Sequence, residues 1–155
     1  MITTQQVADS AREWMNVPWV HHGRVRSGLD CLGLLIKVCE GLGIDVPDKL
    51  DYRLYGRRGP TGDRPPLYRG AVLLEECDRV LEPAREPEPG GVGVFWLDPK
   101  KRFAQHIGVF GVHPFCMTSL IHTDASTDGV VEVAYVPPWA AQLVKPYRLP
   151  GVSYE

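Results

Sequence analysis

The strongest constraint on the fold is a segment that is apolar on nearly every side. Residues 28–43 read GLDCLGLLIKVCEGLG, and the spacing predicts a helix that begins near Asp30 and ends at Gly41 and Gly43. Apolar residues stand on both sides of such a helix: Leu34, Leu35, Val38 and Leu42 on one, and Leu32, Ile36 and Cys39 on the other. A helix of this kind is buried from several directions, so other elements must pack around it.

The remaining pattern places helices before strands. Thr3 and Gln6 form a capping box for a first helix, which Pro18 stops, and a third helix is predicted over residues 67–81. Residues 44–62 are interpreted as a surface excursion and residues 82–91 as a connector. After Gly91 the pattern predicts strands over residues 92–97, 106–111, 117–123 and 130–136. This order is typical of an α+β fold, here one domain over residues 1–155.

Composition excludes several classes of protein. The chain has 155 residues and a net charge of −2, so bulk electrostatics predict no nucleic-acid partner. No apolar run approaches the roughly 18 residues that span a bilayer, so no membrane insertion is expected. The N-terminus lacks the pattern of a secretory signal, and we expect synthesis in a cytoplasm.

The cysteines also limit the chemistry. The four cysteines, Cys31, Cys39, Cys77 and Cys116, form no C-x-x-C pair, which argues against a disulfide framework. Zinc binding by a mix of cysteines and histidines is an alternative, but these residues show no ligand spacing. The spacing therefore predicts no structural zinc site.

Two histidines stand on neighbouring predicted strands. If residue 111 pairs with residue 117, His106 falls directly opposite His122, with Cβ atoms about 4.5–5.5 Å apart. A slip of one residue would put the two side chains on opposite faces of the sheet. The alternation places His106, Gly108 and Phe110 on one face of their strand, and it places Leu120 and His122 together on one face of theirs. We therefore predict a histidine pair.

Cys31 is expected in the first turn of the central helix. Free cysteine is among the most buried residue types, so Cys31 is either apolar filler or a nucleophile. The N–H groups at a helix start favour an anion, and a thiol placed there or beside an imidazolium has a lowered pKa. In the second interpretation Cys31 attacks a carbonyl, the N–H groups face the oxyanion, His106 moves the proton and His122 orients the ring of His106.

These residues resemble a known family. D-C-x-G-L-L at a helix start, P-G-G-V-G-V-F-W, H-I-G-V-F and L-I-H-T look like the NlpC-type cell-wall peptidases, and more closely their phage tail-associated branch. The resemblance implies a papain-like fold in which the nucleophile helix packs on a C-terminal antiparallel sheet. It also implies cleavage of peptidoglycan stem peptides, commonly between D-glutamate and diaminopimelate, with Cys31 as nucleophile, His106 as base, His122 as orienting residue and no cofactor or metal.

The chain departs from the family pattern at two places. The family usually has a tyrosine twelve residues before the nucleophile, whose hydroxyl helps the oxyanion site, and Trp19 stands there. Trp19, His21, His22 and Asp30 are therefore the candidate oxyanion and substrate-binding residues. The family's glycine-aspartate before the first strand is Gly90-Gly91 here, which we expect to affect loop structure more than chemistry.

Three functions follow from these observations. The first is a peptidoglycan endopeptidase of a phage tail tip that opens the wall for DNA entry; it would be made in the host cytoplasm and would act in the periplasm or cell wall. Its partners would be stem peptides and tail-tip or hub proteins. The second is a structural tail-assembly protein that retains the fold with little or no activity, which Trp19 favours. The third is an acyltransferase or amidase, because acyl-enzyme chemistry does not fix the acceptor.

Overall fold

The computed structural model describes residues 1–46, 71–100, 104–113 and 117–155. Most of the predicted excursion, the start of the predicted third helix and Cys116 lie outside the described residues. The helices are α1 (Thr4–Arg12), α2 (Cys31–Leu42), α3 (Ala71–Val80) and α4 (Trp139–Gln142). The strands are β1 (Ile2–Thr3), β2 (Arg24–Val25), β3 (Gly28–Leu29), β4 (Glu82–Pro83), β5 (Val92–Phe95), β6 (His106–Val112), β7 (Thr118–His122), β8 (Val131–Ala134), β9 (Leu143–Arg148) and β10 (Val152–Ser153).

One antiparallel sheet organises the described part of the chain. Its six strands follow the order β4-β9-β5-β6-β7-β8, and two smaller pairs, β1-β10 and β2-β3, lie outside it. Helices α1 and α2 pack against each other and against β6. The predicted α+β class, with helices on a C-terminal antiparallel sheet, is confirmed. Among the described residues, no helix combines the length and the apolar character that crossing a membrane requires.

The central helix α2 is fixed by its two ends. Asp30 is the N-cap residue, and its side chain accepts the N–H of Gly33. Gly43 ends the helix in the left-handed region at φ 70°, which a glycine adopts without strain. The predicted start and the end at Gly43 are confirmed, whereas Gly41 lies inside the helix. Eight of the helix's residues are buried, as its apolar sides require.

The two faces of the sheet bury different clusters. On the helical face, Val94, Ile107 and Val109 join the large core that also contains residues of all three long helices. On the second face, Phe95, Phe110 and Leu120 form a smaller cluster, against which Tyr135, Trp139 and Leu143 pack. Since β8 and β9 are separated by β5, β6 and β7, the connection that carries Trp139 crosses this second face.

Several predicted boundaries are wrong for local reasons. Helix α1 ends at Arg12, with Glu13 as its C-cap, and the chain then turns before Pro18. The strand predicted over residues 92–97 stops at Phe95, where a bulge shifts its pairing with β9. Glu82 and Pro83, predicted to be connector, pair with β9, a strand that the pattern did not predict.

Candidate active site

The histidine pair forms, although in a different register from the predicted one. Phe110 pairs with Leu120 and Gly111 with Ser119, so the predicted pairing of residues 111 and 117 is wrong by two residues. A shift of two residues keeps every side chain on its face. His122 therefore lies beside Gly108, and His106 is its diagonal neighbour, a separation that aromatic rings can bridge.

The two imidazole rings meet at hydrogen-bond distance. His106 Nε2 and His122 Nδ1 are 3.1 Å apart, and the ring planes are nearly perpendicular at 87°. One nitrogen must donate and the other must accept. If His106 is to take a proton at Nδ1, Nε2 carries the hydrogen and donates it to His122. His122 then fixes the ring orientation and the tautomer that a general base needs.

Trp139 covers the histidine pair. Its ring centroid lies 5.5 Å from that of His106 and 4.6 Å from that of His122. Phe95 borders His106 at 6.3 Å between ring centroids. His106 is 1% exposed and His122 is 2% exposed. The hydrogen bond between them is thus shielded from water, which strengthens it. Sequence reasoning missed Trp139, because a single aromatic residue in a four-residue helix leaves no periodic signal.

Asp124 adds a negative charge beside the pair. Its Oδ2 lies 3.9 Å from His122 Nδ1, and its Oδ1 accepts the N–H of Ser126 at 2.6 Å. Burial would raise the pKa of Asp124, but the hydrogen bonds from Ser126 and the nearby histidines hold it below its ordinary value. Asp124 therefore stays ionised. The sequence signal for it was an acidic residue two positions after His122 at the start of a turn-forming run, DASTD.

Burial keeps both imidazoles neutral near pH 7. Burial, with the neighbouring His122, lowers the pKa of His106 to about 3, and Asp124 opposes this shift. Burial likewise lowers the pKa of His122. A neutral imidazole can accept a proton, so the environment of His106 suits a base rather than a resting imidazolium.

Cys31 is the first residue of α2. It is 2% exposed and belongs to the same buried core as Ala104 and Ile107, which lie on either side of His106 in the chain. Helix α2, which begins at Cys31, packs against β6, the strand that begins at His106. The role of Cys31 as nucleophile stays a prediction.

Asp30 anchors the loop that precedes Cys31. This fully buried carboxylate accepts the N–H of Gly33 at 2.7 Å, a guanidinium N–H of Arg24 at 2.7 Å and the N–H of His22 at 2.8 Å. The ion pair with Arg24 offsets the negative charge of Asp30. The carboxylate therefore repels a thiolate at Cys31 less strongly than an unpaired carboxylate would. The predicted role of Asp30 in substrate binding stays a prediction, and its three contacts hold the loop against the start of α2.

The other candidate residues form a ring stack on this loop. The centroids of His21 and His22 are 3.8 Å apart, and that of Trp19 lies 6.1 Å from His21. All three side chains are half-buried. Their predicted roles at the oxyanion or substrate site stay predictions.

One loop joins the two groups of residues. The later part of the loop 124–129 lines a cavity of about 340 Å³ together with Trp19. Its earlier part, from Asp124 to Ser126, lines a cavity of about 460 Å³ together with Trp139. The loop thus runs from the histidine pair to the segment before Cys31. The two cavities share Ala125, and each has a tryptophan in its lining.

Comparisons with known proteins identify the fold. No family model and no curated protein sequence matches the chain. Among solved structures, a protein similar to lipoprotein, of the NLP/P60 family, from Staphylococcus aureus is 16% identical with a TM-score of 0.60, and the match covers 94% of this chain and 41% of that one. An NlpC/P60 family protein from Bacillus cereus is 15% identical with a TM-score of 0.64, covering 94% and 40%.

A third solved structure is matched over nearly its whole length. The NlpC/p60 domain of the peptidoglycan hydrolase SagA is 16% identical with a TM-score of 0.55, covering 94% of this chain and 98% of that domain. The chain spans about two fifths of the first two proteins. These likenesses confirm the predicted papain-like α+β fold.

Proposed function

We propose that the chain is a cysteine peptidase that hydrolyses peptidoglycan. The observation that carries the proposal is the buried contact between His106 Nε2 and His122 Nδ1, in a fold shared with NlpC/P60 proteins. Burying two imidazole rings beneath Trp139 costs free energy, because each polar ring nitrogen loses its contact with water and needs a hydrogen-bond partner. Packing alone would be served by apolar side chains. A base with a fixed tautomer accounts for the arrangement.

The proposed reaction is acyl transfer through a thioester. The Cys31 sulfur attacks the peptide carbonyl carbon while His106 Nδ1 takes the thiol proton, and the N–H groups of the first turn of α2 stabilise the oxyanion. As the C–N bond breaks, His106 returns the proton to the leaving amine. Water then attacks the thioester by the same route and releases the acid and the thiol. His122 keeps the ring of His106 aimed in each step.

Within this class we propose stem peptides as substrate, with the bond between D-glutamate and diaminopimelate as the one cut. Two features support a peptidoglycan substrate: the likeness to the domain of a peptidoglycan hydrolase and the family motifs of the sequence. The cavities on either side of residues 124–129 offer walls for a short peptide.

We further propose that the protein is a component of a phage tail tip, bound there to tip or hub proteins. It would be made in the host cytoplasm, carried in the virion, and would cut the wall from the periplasmic side during DNA entry. The support is the resemblance of the sequence motifs to the tail-associated branch.

Digestion of purified sacculi tests the peptidase. The wild type should release muropeptide fragments with new amino termini, and Cys31→Ala and His106→Ala should release none while remaining folded by circular dichroism. Cys39→Ala is the matched control, because Cys39 is a buried thiol in the same helix whose pKa burial raises to about 12. Activity that survives Cys31→Ala unchanged would exclude the proposal, and product masses would separate an endopeptidase from an amidase or acyltransferase.

A structural tail protein without activity is the second candidate. Trp19 in place of the family tyrosine favours it, because an indole N–H donates from a different position than a phenol hydroxyl. Trp19→Tyr separates the two. If the wild type is a peptidase adapted to tryptophan, Trp19→Tyr keeps or lowers its activity on sacculi. If the wild type is inactive because Trp19 replaces the tyrosine, Trp19→Tyr gains activity.

A further inference from the structure

We propose that His106, His122 and Asp124 form a binding site for Zn²⁺ or a similar borderline divalent ion, and that occupation of the site switches the enzyme off. Each residue offers one ligand atom, and the three atoms lie within 4.8 Å of one another. The binding site follows from these residues alone, whereas the inhibition rests on the proposed peptidase function.

The donor set suits zinc. Two imidazole nitrogens and one carboxylate oxygen are a common protein ligand set for this ion, at about 2.0–2.2 Å each. Ligands at that distance in a tetrahedron lie roughly 3.3–3.5 Å apart. The distance from His106 Nε2 to His122 Nδ1 is 3.1 Å and that from His122 Nδ1 to Asp124 Oδ2 is 3.9 Å. These two distances lie within about 0.6 Å of the tetrahedral spacing. The ligand atoms of His106 and Asp124 lie within 4.8 Å of each other, so binding one ion requires the Asp124 carboxylate to approach His106 by up to about 1.5 Å.

The surroundings support the same donor set. Ser126 holds Asp124 by Oδ1, so Oδ2 is the oxygen nearer His122. Asp124 and Trp139 also line the cavity of about 460 Å³, so the carboxylate side of the site borders this cavity. The carboxylate supplies one of the two negative charges that balance the ion, which a pair of neutral histidines could not do.

Inhibition follows from the tautomer of His106. In the metal-free pair, Nε2 carries the hydrogen when Nδ1 serves as the base. An ion bound at Nε2 needs the lone pair of that nitrogen, so the ring proton must reside on Nδ1. Nδ1 is then a donor and can no longer take the thiol proton. One binding event thus removes the base without changing the net protonation of the ring.

Metal binding is measured on the whole chain without reference to activity. Zn²⁺ affinity is obtained by competition with a chromophoric chelator, and Co²⁺ is used as a probe whose visible absorption reports tetrahedral nitrogen and oxygen ligands. We expect one equivalent of Zn²⁺ in the wild type. Asp124→Asn should bind at least about tenfold more weakly, because it loses the charged ligand and keeps the carbonyl that Ser126 contacts.

Two controls distinguish this site from others. Asp128→Asn removes the same charge from an exposed position in the same loop and should leave the Zn²⁺ affinity unchanged. Cys31→Ser should also retain it, and the Co²⁺ spectrum should lack thiolate charge-transfer bands. Equal affinity in Asp124→Asn and the wild type, loss of binding in Cys31→Ser, or no binding at millimolar Zn²⁺ would each overturn the site.

Digestion of sacculi with and without Zn²⁺ separates this inference from the proposed function. If wild-type protein digests sacculi, Zn²⁺ should stop digestion over the range in which it binds, and a chelator should restore it. Digestion that continues with the site filled would overturn the inhibition. If the wild type binds Zn²⁺ at these residues but never digests sacculi, the proposed function fails while the metal site stands.

Discussion

Replacing Asp30 by alanine tests whether this one carboxylate holds the preceding loop on helix α2. The fully buried side chain caps α2 by accepting the N–H of Gly33, and it also binds Arg24 and the N–H of His22. Asp30→Ala therefore removes a helix cap, the ion pair with Arg24 and the hydrogen bond from the N–H of His22. Each of these losses has a known scale.

The magnitude can be worked from these three bonds. Loss of an N-cap costs about 0.5–2 kcal/mol, and loss of a hydrogen bond to a charged group costs about 1.5–3 kcal/mol. Because the three bonds share one residue and overlap, we expect the free energy of unfolding to fall by about 3–5 kcal/mol in total. The corresponding fall in Tm is roughly 6–20 °C for a chain of this size.

Urea denaturation followed by circular dichroism measures this loss. Asp9→Ala is the matched control: Asp9 also accepts two side-chain hydrogen bonds, from Gln5 and Arg12, but it is 58% exposed, so its loss should cost less than about 1 kcal/mol. Asp30→Asn should fall between the two, since its amide keeps one acceptor and turns a donor toward the N–H of His22. A loss below about 1 kcal/mol for Asp30→Ala would refute the reasoning.

Three further predictions concern the histidine strands. Burial lowers the pKa of His106 from 6.5 to about 3, so between these pH values the unfolded chain binds a proton that the folded chain does not, and the free energy of unfolding should fall as the pH falls from 6.5 toward 3. Guanidinium denaturation at several pH values measures this dependence, and the free energy of unfolding of His106→Gln should change less with pH than that of the wild type. An equal dependence on pH in the two proteins would contradict this origin. Gly108→Ala would place a Cβ 2.5 Å from Leu120 Cδ1 and should cost about 1–3 kcal/mol and reduce turnover. The control Gly41→Ala, whose Cβ would meet only Ser10 Oγ at 3.6 Å, should not destabilise the protein, and equal losses in thermal melts would contradict the packing argument. Trp139→Ala admits water to the histidine pair and should raise the pKa of both rings, as NMR titration would show; unchanged pKa values would mean that Trp139 does not shield them.

Local signals were sufficient for the central helix. Asp30 as N-cap and Gly43 in the left-handed region act on their immediate neighbours, and both could be predicted from the sequence. The same holds for the capping box of Thr3 and Gln6, which is present in α1. End signals of this kind depend on a few consecutive residues, so the sequence contains all the information that they need.

The histidine pair shows where sequence reasoning stops. Alternation correctly predicted that His106 and His122 share a face, because parity depends only on residue spacing. The register depends on the length of the hairpin connection, and β6 extends to Val112 where the pattern placed its end at residue 111. The pair therefore forms diagonally rather than directly across the strands.

The residues that complete the site depend on long-range pairing. β9 joins the sheet between β4 and β5, and its partners are more than 40 residues away in the chain. The connection from β8 to β9 carries Trp139 over the histidines only because of this strand order. No local pattern near Trp139 encodes that order, so the sequence alone did not reveal its position.

The rate at which iodoacetamide alkylates Cys31 at pH 6, in the wild type and in His106→Ala, tests the central claim most directly. Mass spectrometry of the peptides separates Cys31 from Cys39 and Cys77, whose pKa values burial raises to about 12 and which serve as unreactive internal references. If His106 activates the thiol at the start of α2, Cys31 reacts first in the wild type and several-fold more slowly in the folded His106→Ala variant. Equal rates for Cys31 in both proteins would contradict the account.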